Sequence, residues 1–125
     1  MSAIAAIIAK LEATSAVTDL CGTRIYSVSA HDGETAPHVI VQHIATSPAN
    51  THGEAAGASY RLFQFACFAA TPKAARALRD AVSEALDGQD LSNGDNPTLQ
   101  DERDGEVTDL GSGVKLYRAD ADFLV

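Results

Sequence analysis

Apolar positions recur along this chain with two different periods, and the change from one period to the other outlines its elements. Ile4, Ile7, Ile8 and Leu11 fall at i, i+3, i+4 and i+7, a narrow stripe that predicts an amphipathic helix over residues 2–12. TSAVTDLCG follows, with Ser and Thr as caps, Val17 and Leu20 as anchors and Gly22 as a terminator, which predicts one short turn of helix. TRIYSVSA reads as a short strand and HDGETAP as loop chemistry. Pro37 then biases Ala36 to an extended conformation that leads into HVIVQHI. In that strand Val39, Val41 and His43 point one way, and Ile40, Gln42 and Ile44 the other.

The segment ATSPANTHGEAAGAS is small, polar and without apolar period, so residues 46–59 are expected to be a long loop between two antiparallel strands. YRLFQFACFAA comes next and differs from every other strand in being apolar on both faces. Phe63, Phe65, Cys67 and Ala69 lie on one side, and Tyr60, Leu62, Gln64, Ala66 and Phe68 on the other. TPKAARALRDAVSEALDG is the clearest helix. Thr71 can cap it, Pro72 suits the first helical position, and Gly88 stands just past the end. Its apolar face is Ala75, Leu78, Val82, Ala85 and Leu86, and Arg76 and Asp80 are spaced for an i, i+4 pair. TLQDER reads as a strand and DGEVTDLGSG as a turn. VKLYRADADFLV alternates strictly, with Tyr117, Ala119, Ala121, Phe123 and Val125 inward and Arg118, Asp120 and Asp122 on a wet outer face. The order predicts an α+β domain over residues 1–125: a mostly antiparallel sheet of four to five strands with two main helices on one face.

Two helices can cover the Phe63/Phe65/Cys67 face. Tyr60, Leu62 and Phe68 are then left without an evident partner, and with Ile40 and Ile44 they are the expected subunit interface. Exposing three such side chains forgoes about 1.5 to 3 kcal/mol each. The bland alternative is that the short second helix or the 47–58 loop folds over that face.

Composition narrows the classes. The chain has 125 residues, 46% hydrophobic and 21% charged, as in an ordinary globular domain. Lys10 and Glu12 interrupt the first apolar run well short of a membrane span and no basic region precedes it, so a soluble protein kept in the cytoplasm is expected, with no membrane partner. Cys21 and Cys67 are far apart in sequence and form no CxxC, which predicts two reduced thiols. The net charge is −8, and residues 80–109 hold ten acidic residues against the single Arg103, a net of −9. No basic cluster interleaved with aromatics exists to grip phosphates, so specific nucleic-acid binding is not expected. The plain reading of the acidic run is a solvated, solubilising loop.

Chemistry is sparse. His31, His38, His43 and His52 show no helical ligand spacing, and Asp87, Asp90, Asn93 and Asp95 miss the offsets of a calcium loop. No nucleophile elbow or glycine-rich phosphate loop is present, and Cys67 lies mid-strand. No catalytic residue, metal or cofactor is expected.

The order of these segments carries more information than any one of them. VTDLCGTRIY, APHVIVQHI, a long connection, YRLFQFACFAATPKAARALRDAVSEAL, LQDERD and a closing VKLYRADADFLV together resemble the small tail-completion or tail-terminator proteins of long-tailed bacteriophages and gene transfer agents. Ser27 departs from that pattern, in which a proline often follows RIY. The resemblance implies a structural virion protein: a ring, of six subunits, on the head-proximal end of the tail tube, which ends tube polymerisation. Its implied partners are further copies of itself, the major tail tube protein and the head completion or connector protein. The implied location is the head–tail junction of the virion tail, after synthesis in the host cytoplasm. On this reading Asp101, Glu102, Asp104 and Glu106 face the lumen or the tube, and DNA passes without being bound. The alternatives are a head-side connector or minor tail protein and, in another class, a small α+β ligand-binding module or enzyme, which predicts a monomer or dimer with a polar pocket.

Overall fold

The computed structural model describes residues 3–27, 36–51, 54–111 and 114–125, with 47–51, 54–60, 110 and 114 described by their backbone alone. Among the described residues three helices, α1 (Ala3–Glu12), α2 (Ser15–Cys21) and α3 (Pro72–Leu86), accompany six strands. These are β1 (Ile25–Ser27), β2 (His38–Thr51), β3 (Glu54–Ala69), β4 (Thr98–Asp104), β5 (Thr108–Gly111) and β6 (Val114–Leu124). The sheet runs β1-β2-β3-β6-β4, with β5 paired to β6 beyond β4. It is mixed, because β1 runs parallel to β2 while the other pairs are antiparallel.

Alternation places the core. Phe63 stands opposite Phe123, Phe65 opposite Ala121 and Cys67 opposite Ala119, all on the helix side. With Val39 and Val41 they meet Ile7, Leu11, Val17, Cys21, Leu78, Val82 and Leu86 in one buried cluster. Phe65 and Phe123 pack edge to face, 5.4 Å between centroids. Within the stripe predicted for α1, Ile7 and Leu11 are fully buried and Ile4 and Ile8 half-buried. Thr71 caps α3, its hydroxyl oxygen accepting from the Ala74 amide at 3.1 Å, and Gly88 follows the helix with φ +71°.

Three expectations are corrected. The described residues of 46–59 are not a loop: β2 runs on to Thr51 and β3 starts at Glu54, paired to each other as a ribbon. Their small residues carry no β signal of their own, and pairing continued from the strong strands overrides that lack. Residues 108–111, read as part of a turn, form β5. Arg76 does not pair with Asp80; it reaches across to Asp104 on β4, while Asp80 pairs with Arg79. The exit from β1 after Ser27, like His31 and His52, lies outside the described residues.

Candidate assembly surface

The far side of the sheet is built from cross-strand rows. One row is His38, Phe68 and Arg118; the next is Tyr26, Ile40, Ala66, Asp120 and Arg103; the third is Gln42, Gln64, Asp122 and Asp101. Phe68 is half-buried, with the His38 ring stacked on it at 4.9 Å and the Arg118 guanidinium 5.6 Å from its centroid. Arg118 also donates from Nε to Asp120 Oδ1 at 2.7 Å and from Nη2 to Gln64 Oε1 at 3.3 Å. Arg103 donates from Nη1 to Asp122 at 2.7 Å and to Asp101 at 3.1 Å, and its Nη2 stands 3.7 Å from Asp120. Hydrogen bonding to Asp122 holds the Arg103 guanidinium above its ordinary pKa.

The outer charges of β6 are therefore not a wet row. Asp120 is only 3% exposed, yet among the described residues no layer of chain lies over it. Two arginines reaching in from neighbouring positions cover and neutralise it. Gly105 makes room for one of them: its amide donates to the Arg118 carbonyl at 2.8 Å, and a Cβ placed there would fall 2.7 Å from Arg118 Cγ. The opposite-charge alternation Arg118/Asp120/Asp122 was the sequence signal for this network. What it lacked was Arg103, which only the β4–β6 register brings alongside.

Of the apolar residues singled out in the sequence, Ile40 and Leu62 are half-buried on this face, and Ile44, at a bulge in β2, is 46% exposed. Tyr60 is placed by its backbone opposite Ser47. The structure does not gather the four acidic candidates. Asp101 sits on the far face with Arg103. Glu102 and Asp104 turn to the helix side, where Arg79 contacts Glu102 at 3.1 Å and Asp104 at 3.2 Å and Arg76 contacts Asp104 at 2.9 Å. Glu106 is exposed between β4 and β5. Hydrogen bonding from Arg76 holds the Asp104 carboxyl below its ordinary value near 3.8.

Between α3 and β4 lies a cleft of about 520 Å³ lined by Asp80, Ser83, Glu84, Asp87, Leu99 and Glu102. Among the described residues no group of three or more His, Cys, Asp or Glu is placed to hold a metal ion. No helix is long and apolar enough to cross a membrane. Cys21 and Cys67 are both buried and unpaired, and burial pushes both thiols up, Cys67 well beyond the usual range.

Comparison with known proteins gives this surface a context. A search of curated proteins finds no match. Among solved structures, a chain of the virion of a native gene transfer agent (GTA) particle superposes with a TM-score of 0.67. That match covers 98% of this chain and 92% of its counterpart at 20% identity, a likeness of fold. The family profile described as tail completion protein gp17 matches residues 5–125, nearly the whole sequence. The chain belongs to the tail completion protein gp17 family.

Proposed function

We propose that this member of the family acts as a ring at the head-proximal end of a tail tube, where it ends tube polymerisation and joins the tail to the head connector. The observation that carries the reading is the far sheet face. Ile40 and Leu62 lie half-buried there beside an ion-pair network centred on the buried Asp120, Ile44 is exposed at the β2 bulge, and no helix among the described residues packs over that face. A ring of copies in heterologous contact would bury such a face, leaving the helix side free for the tube or the connector. Six subunits are proposed on the resemblance of the sequence.

The acidic end of the domain belongs to the same reading. Arg76, Arg79 and Arg103 neutralise Glu102, Asp104 and Asp101 in part, yet the chain keeps its net charge of −8. Turned to the lumen, that excess repels DNA phosphates and lets the genome pass.

Removing the gene tests the termination role. Tubes of uncontrolled length without attached heads are the expected product. Tails of normal length that merely fail to join heads would reassign the chain to the head side of the junction. A polar pocket occupied by a small molecule in the purified protein would favour a binding module instead.

A further inference from the structure

We draw no further inference here: the strongest candidate, the acidic cleft between α3 and β4 lined by Asp80, Glu84, Asp87 and Glu102, carries nothing because its buried Ser83 hydroxyl already donates to Glu102 and nothing in the structure shows what fills it.

Discussion

Arg118 shows how one side chain settles the far face of the sheet. Its stem passes over Gly105, its guanidinium lies over Phe68, and its Nε serves Asp120, a carboxylate with almost no access to water. Cutting it back strands that charge. Arg118→Ala is therefore expected to cost about 2 to 3 kcal/mol in denaturant unfolding. Gly105→Ala should cost about 1 to 2 kcal/mol by displacing the same stem, and much less once Arg118 is already Ala, since the two act through one contact. Additive losses would show that Gly105 serves the backbone and not the arginine. The cysteines give a simpler check. Both are buried with raised pKa, so neither should react with a thiol reagent at pH 8 in the native protein, and both should react after denaturation. Fast native labelling would contradict the packing of β3 against α2 and α3.

At the scale of elements, α3 and β4 are held together across the helix side by an arginine pair facing a carboxylate pair, Arg76 and Arg79 against Glu102 and Asp104. Exposed pairs of this kind contribute little each, but the depressed Asp104 carboxyl gives the clamp a pH signature. A lowered folded-state pKa means that its stabilisation is present above the ordinary value near 3.8 and is lost as pH falls through the lower folded value. Melting temperatures of the native chain and Asp104→Asn should differ at pH 7 and converge below that range; a difference that persists in strong acid would assign the effect to packing. This clamp was not legible in the sequence, which offered Arg76 and Asp80 one turn apart, because the contest between a local and a long-range partner is decided only by where β4 docks. The stripe of α1, the cap and stop of α3 and the two faces of β3 were legible, since each depends on residues close in sequence. The ribbon was not. Ala, Gly, Ser and Thr say loop when read alone, and a ladder already started by Val39–His43 and Phe63–Phe68 extends them as strand.

For the whole molecule, the sequence order carried the family resemblance and the gp17 profile agrees with it, whereas the surfaces needed the register of the sheet. The far face, expected to be apolar along β3 and wet along β6, carries an ion-pair network that buries Asp120 beside the half-buried Ile40 and Leu62, and the acidic run splits between two faces. What remains uncovered among the described residues is the bordering apolar surface, and the proposed ring would bury it against neighbouring copies. A reconstruction of the head–tail junction in intact particles tests that directly. The account predicts a single ring of this chain on the last tube layer, each copy's Leu62 buried against the next. A copy seated elsewhere in the particle, or a ring whose far sheet faces stand free in solvent, would contradict it.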